Sequence, residues 1–144
     1  PVLITPTQRR NFKNGKLVDT HGEFPDAVKL LSEKTGTPLI DLQAMTTILY
    51  ETLGEEDSKK ALVHYPAGTW PGQTKDFADN THFNPYGAYQ IAKCVIEGLK
   101  KCNHPLIQYL REDYIEYDPS QPDNVNSFKW NNSPFSEIEK PDGN

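Results

Sequence analysis

Apolar residues along the chain come in short bursts set off by polar stretches rich in proline and glycine. The first burst, Val2-Leu3-Ile4 between Pro1 and Pro6, does not alternate and reads as a buried strand of a parallel sheet, with Leu3 and Ile4 in the core. Polar residues 7–11 follow, and Asn14-Gly15 within residues 12–18 marks a tight turn. A helix is expected from Pro25, which suits a first helical position, through Ala27, Leu30 and Leu31 to a stop at Gly36. Residues 38–42, Pro-Leu-Ile-Asp-Leu, read as a second short buried strand with Leu39 and Ile40 in the core. Met45, Ile48, Leu49 and Leu53 share one stripe of an amphipathic helix over residues 43–53, which Gly54 ends. From Ala61 to Phe83 the pattern gives an aromatic-rich loop carrying Tyr65, Trp70, Phe77 and Phe83. Asn84-Pro85 then reads as the cap and first turn of a last helix, whose apolar face is Ala88, Ile91, Ala92, Val95 and Leu99.

Strands alternating with helices specify an α/β class, a layered sheet flanked by helices. Two or three visible strands make about half of such a sheet. A chain that opens on a buried-type strand, with no initiator Met, is expected to be a piece of a larger polypeptide.

Length and charge narrow the picture. The 144 residues allow one domain and carry a net charge of −5. Residues 1–110 are electrically balanced, whereas residues 111–144 set Arg111, Lys129 and Lys140 against eight acids. The shift near Arg111, together with Pro119, Pro122, Pro134 and Pro141, separates a domain segment, 1–110, from an acidic extension or linker, 111–144, expected to be irregular. An acidic balance argues against non-specific nucleic-acid binding, and no apolar run is long enough for a membrane span. Cys94 and Cys102 sit about 12 Å apart along the last helix, too far to bridge, and read as free thiols.

In open α/β sheets, ligand sites gather beyond the carboxyl ends of the strands. Two stretches qualify: residues 7–11, and the loop ending in Asp79-Asn80-Thr81-His82. An Asp three residues before a His can accept a hydrogen bond from its ring, leaving the other nitrogen free to take a proton. The alternative is a turn Asp beside a surface His. A metal site of Asp79, His82 and His64 has no distinguishing spacing. No serine stands in a Gly-x-Ser-x-Gly elbow or follows Gly-Asp, so a nucleophile partner for His82 is not visible. Arg9 or Arg10, after the first strand, can clamp a uronate carboxylate, or pair with a nearby acid. Tyr65 and Trp70 can stack on a sugar ring or anchor the loop, and His64 can line a pocket or serve structurally. His21 and His104 read as structural, and Asp41 as a carboxylate that satisfies loop backbone.

Five ordered motifs carry a resemblance: Thr-Pro-Thr-Gln-Arg-Arg-Asn-Phe at 5–12, Thr-His-Gly-Glu-Phe-Pro at 20–25, Pro-Leu-Ile-Asp-Leu at 38–42, His-Tyr-Pro-Ala-Gly-Thr-Trp-Pro-Gly-Gln at 64–73, and Asp-Asn-Thr-His-Phe-Asn-Pro-Tyr-Gly-Ala-Tyr at 79–89. Over residues 1–110 the chain resembles the C-terminal half of rhamnogalacturonan acetylesterases, within the SGNH (GDSL-type) hydrolases and carbohydrate esterase family twelve. The resemblance implies a flavodoxin-like three-layer αβα fold, incomplete in this chain, with Asp79 and His82 as the catalytic Asp and His. It places the nucleophilic Ser and the oxyanion-hole Gly and Asn upstream, in a missing N-terminal half. It implies Ser-His-Asp acyl transfer on an acetylated polysaccharide, needing neither metal nor organic cofactor, in a secreted or periplasmic protein. Competing readings are a non-catalytic polysaccharide-binding or accessory segment of the same fold, and a lipase or thioesterase of the superfamily.

Overall fold

A computed structural model describes residues 1–130. The order is β1 (Leu3–Ile4), β2 (Phe12–Lys13), β3 (Lys16–Leu17), α1 (Phe24–Thr35), β4 (Leu39–Ile40), α2 (Leu42–Asp57), β5 (Leu62–Tyr65), β6 (Phe77–Phe83) and α3 (Pro85–Lys101). Short 3-10 turns span Ser58–Ala61 and Pro105–Tyr109. Among the described residues the strands form three two-stranded pairs: β1 with β4, parallel; β2 with β3, antiparallel; and β5 with β6, antiparallel. The chain thus combines helices with small sheets, one of them parallel.

Most predicted elements stand where chain chemistry puts them. Gly36 ends α1 in the left-handed region at φ 67°, which glycine adopts without a Cβ clash. The Asn14-Gly15 turn, both residues at positive φ, joins β2 to β3. Asp41 caps α2 by accepting from the Ala44 N–H at 3.1 Å, and Asn84 caps α3 by accepting from the Gly87 N–H at 3.0 Å. Gly54, at φ 74° and ψ 177°, breaks the helical path of α2 one residue after the expected end.

The core is smaller than the apolar pattern implies. Ile40, Leu42, Cys94 and Tyr117 form its buried centre, with Ile91, Val95 and Leu99 half-buried against it. Ile4 was expected inside but is 44% exposed, and Leu3 and Leu39 are only half-buried. The reason is that β1 has one pairing partner among the described residues, so one edge and part of a face stay uncovered. Leu30 and Leu31 of α1 are likewise about half exposed. On α2 the buried positions are Leu42, Thr46, Leu49 and Tyr50, so Ile48 faces outward.

One further expectation changes: residues 61–83 are not one loop, since β5 and β6 bracket a shorter connection. The polar stretch after β1 is irregular, and Gln8 and Arg10 within it are buried, as is Thr5 before it. Thr5 donates its hydroxyl to Asp41 at 2.9 Å and accepts the Gln43 N–H, and the Gln8 N–H reaches Thr46 Oγ1 at 2.9 Å. Burial alone would raise the Asp41 carboxyl, but the Ala44 N–H, Lys29 and the Thr5 hydroxyl together hold it below the usual range.

Beyond Arg111 the described residues are irregular, as expected, yet they pack against α3 rather than leading away from it. Glu97 accepts from the Tyr114 hydroxyl and the Tyr117 N–H, and Asp123 takes Lys93 Nζ at 2.6 Å and Gln90 Nε2 at 2.8 Å. The rest of the 111–144 extension lies outside the described residues. Cys94 is fully buried, which pushes its thiol up to about 12.

Two helical glycines permit close approach. A Cβ on Gly87 would lie 1.9 Å from the Ala61 carbonyl oxygen, and one on Gly98 would lie 2.4 Å from the Ile40 side chain. The Ile40 group is a side chain, whereas the Ala61 group is backbone whose carbonyl already accepts the Asn84 N–H. In the protein containing this chain, Gly87→Ala is therefore expected to destabilise by about 2–3 kcal/mol or more, and Gly98→Ala by less. Chemical denaturation checks this, and a neutral Gly87→Ala would contradict the packing.

Candidate active site

The site grows from an irregularity in the β5/β6 pair. Leu62 faces Phe83 and His64 faces Ala78, so two steps along β5 are matched by five along β6. Asp79-Asn80-Thr81-His82 takes up the excess as a wide bulge. Bulges turn side chains away from the ladder and re-aim them. This also explains why residues 77–83 show no strand alternation: four of the seven lie in the bulge.

Inside the bulge, one carboxylate organises the backbone. Asp79 Oδ1 accepts the N–H of Thr81 at 2.7 Å and of His82 at 2.9 Å, a side-chain turn of the kind Asp favours. Its Oδ2 meets His82 Nδ1 at 2.7 Å. The His82 backbone N–H, then its ring, then the Thr81 N–H lower the Asp79 carboxyl from 3.8 to about 2. An ionised carboxylate only accepts, so Nδ1 carries the proton and the lone pair of a neutral ring sits on Nε2. The Asp79 side chain is 23% exposed and that of His82 is 77% exposed. Among the described residues no hydrogen bond engages Nε2.

The bulge is fastened at both ends. After it, Asn84 caps α3 with its oxygen and donates Nδ2 to the Lys60 and Leu62 carbonyls. Within it, the Asn80 carbonyl accepts the Arg10 N–H at 2.9 Å, and Asn80 Oδ1 takes Arg10 Nη1 at 3.1 Å and His64 Nε2 at 2.9 Å. Arg10 also donates Nε to Ser58 Oγ at 2.9 Å and Nη2 to the Glu55 carbonyl. Asn80 and Ser58 were not singled out by the sequence. Asn80 was visible only as a spacer in the Asp-Asn-Thr-His run, and Ser58 carried no signal.

The other predicted residues divide. Arg10 is 6% exposed and bonded to Ser58, Glu55 and Asn80, which places its guanidinium inside the fold rather than on a substrate surface. Arg9 is exposed, and among the described residues its side chain has no ion pair. Tyr65 and Trp70 meet edge to face at 4.5 Å, with Trp70 half exposed. Gln73 shapes their loop by donating Nε2 to the carbonyls of Pro66 and Lys75 and accepting the Trp70 N–H. A cleft of about 400 Å³, lined by Lys59, His64, Tyr65, Pro66, Asp76, Phe77 and Ala78, runs along this pair of strands up to the residue before Asp79. His21 Nε2 donates to the Thr7 carbonyl and His104 Nδ1 accepts the Leu106 N–H, both local ties.

Because the Asp79 carboxyl is depressed, its bonds are fully present above pH 3.8 and are lost as pH falls through about 2. A carbon-13 NMR titration of Asp79 should show that low midpoint, with the Thr81 and His82 amide shifts moving together with it. A midpoint near 3.8 would mean the three bonds do not persist in solution.

Comparison with known proteins bears on this geometry. No family model matches the chain, and no solved structure matches it. It is 42% identical over 111 residues to rhamnogalacturonan acetylesterase RhgT of Bacillus subtilis (strain 168), covering 76% of this chain and 48% of that protein. It is 29% identical over 108 residues to the probable rhamnogalacturonan acetylesterase YesY of the same organism, covering 75% of this chain and 46% of that protein. The chain spans about half the length of these curated relatives and aligns with their C-terminal portion. The chain is thus similar to the C-terminal portion of rhamnogalacturonan acetylesterases.

Proposed function

We propose that the protein containing this chain is a serine carbohydrate esterase that removes acetyl groups from a plant cell-wall polysaccharide such as rhamnogalacturonan, with Asp79 and His82 as two members of its triad. The observation that carries this reading is the 2.7 Å contact between Asp79 Oδ2 and His82 Nδ1, which leaves Nε2 turned to solvent. A histidine held in that tautomer is a general base awaiting a hydroxyl. The names of the two relatives support the substrate class.

In the proposed reaction a serine outside this chain attacks the acetyl carbonyl as His82 Nε2 takes its proton. Asp79 holds the ring and balances the imidazolium charge. The acetyl carbon–oxygen bond to the sugar then breaks, and His82 protonates the departing sugar oxygen. Water, deprotonated by the same nitrogen, releases acetate and restores the serine. The remaining half of an SGNH-type three-layer fold supplies the serine and the oxyanion donors, and the enzyme acts outside the cytoplasm. On the substrate side, the exposed Arg9 offers a guanidinium for a uronate carboxylate, and Trp70 with Tyr65 offers an aromatic edge beside the cleft.

Three variants of the full-length protein test the proposal. His82→Ala should lower turnover of p-nitrophenyl acetate by about four to six orders of magnitude, and Asp79→Asn by about four. Arg9→Ala should leave the small ester untouched and raise KM for acetylated rhamnogalacturonan, the signature of a group binding away from the chemistry. Full activity in His82→Ala would sink the esterase assignment of this pair.

A further inference from the structure

Asn80 stands between the two members of the pair and contributes no atom to the contact between them. An arginine only donates, so the Asn80 atom 3.1 Å from Arg10 Nη1 is the amide oxygen. The same oxygen lies 2.9 Å from His64 Nε2, which must then carry its proton toward Asn80. The Asn80 side chain is thereby fixed from two sides, by β5 through His64 and by the segment after β1 through Arg10. We propose that Asn80, held by Arg10 and His64, is a positioning residue that sets the geometry of the Asp79–His82 pair.

The need for such a brace follows from exposure. The His82 side chain is 77% exposed, so neighbouring packing does not hold the ring, and its orientation rests on Asp79. Asp79 is in turn only as fixed as the bulge backbone, which the β5 ladder skips between Leu62 and His64. Arg10 supplies the missing rigidity. It is 6% exposed, it is bonded to Ser58 and Glu55 at the end of α2, and its backbone N–H bonds the Asn80 carbonyl at 2.9 Å. Asn80 links that buried guanidinium to the solvent-facing pair. A displacement of about 1 Å at a catalytic group costs about 100-fold in rate, so the link has a kinetic consequence.

This inference rests on the reading of Asp79 and His82 as the catalytic pair, and its test keeps the two separable. In the full-length protein, Asn80→Ala should lower kcat for p-nitrophenyl acetate by about 10- to 100-fold with KM changed less than about two-fold. Asn80→Asp, whose carboxylate accepts the same two bonds, should restore kcat to within about five-fold of the parent. By carbon-13 NMR, the Asp79 midpoint in Asn80→Ala should rise from about 2 toward 3.8 as the bulge amides drift from the carboxylate. That readout does not depend on catalysis, and a general loss of stability would not move it selectively. An unchanged kcat in Asn80→Ala while His82→Ala abolishes turnover would overturn the brace and spare the pair. An unchanged Asp79 midpoint would overturn it as well, and so would an Asn80→Asp variant as slow as Asn80→Ala. Full turnover in His82→Ala would instead remove the catalytic reading and leave the brace to the NMR result.

Discussion

A guanidinium placed inside a protein must find oxygen acceptors, because it has five donors and no way to accept. Arg10 meets that demand with acceptors from three places: Ser58 Oγ, the Glu55 carbonyl and the Asn80 side chain. The segment after β1, the end of α2 and the bulge of β6 are drawn to one point as a result. None of the three partners is a carboxylate, so the arrangement depends on hydrogen-bond directions rather than on net charge. Removing any one acceptor leaves a buried donor unmatched, which costs more than the bond itself contributes.

From that point the architecture of the site follows. The bulge takes the Asp-Asn-Thr-His run out of the β5/β6 ladder, and Asp79 recloses the freed amides with its own carboxylate. One residue thus does two jobs: Oδ1 shapes the turn, and Oδ2 holds the imidazole. The adjoining cap at Asn84 secures the start of α3, where Gly87 lets the helix close on the Ala61 carbonyl. The exposed pair therefore stands on a rigid base although its own packing is sparse, which suits the general-base role proposed for His82.

The incompletely covered apolar positions have a common origin. Ile4 on β1, Leu30 and Leu31 on α1 and Ile48 on α2 are the residues whose pattern promises a core, and each is about half exposed. Their partners are absent among the described residues. The segment after Arg111 covers another side of the molecule instead, inserting Tyr117 beside Cys94 and pairing Asp123 with Lys93. Tyr117 enters the core with its hydroxyl unpaired among the described residues, held by apolar contact, by its backbone N–H to Glu97 and by Lys93 Nζ 5.2 Å from its ring centre.

Local chemistry sufficed for what lay within a few residues of itself. Asn14-Gly15, Gly36, Asp41 and Asn84 each specify a turn or cap through bonds to neighbours in the chain, and the Asp79-to-His82 spacing is likewise short enough for its contact to form within one turn. Burial was not legible in that way, because a Leu or Ile at helical spacing says that a face is apolar and not whether anything lies opposite. The strand β6 was hidden because the bulge erases the period-two pattern by which a strand is read, and β5, four residues long, lost the partner that would have marked it. The roles of Arg10, Ser58 and Asn80 belonged to the tertiary structure alone. Their bonds join positions 48 and 70 residues apart, and no pattern along the chain encodes which buried donor will meet which distant acceptor.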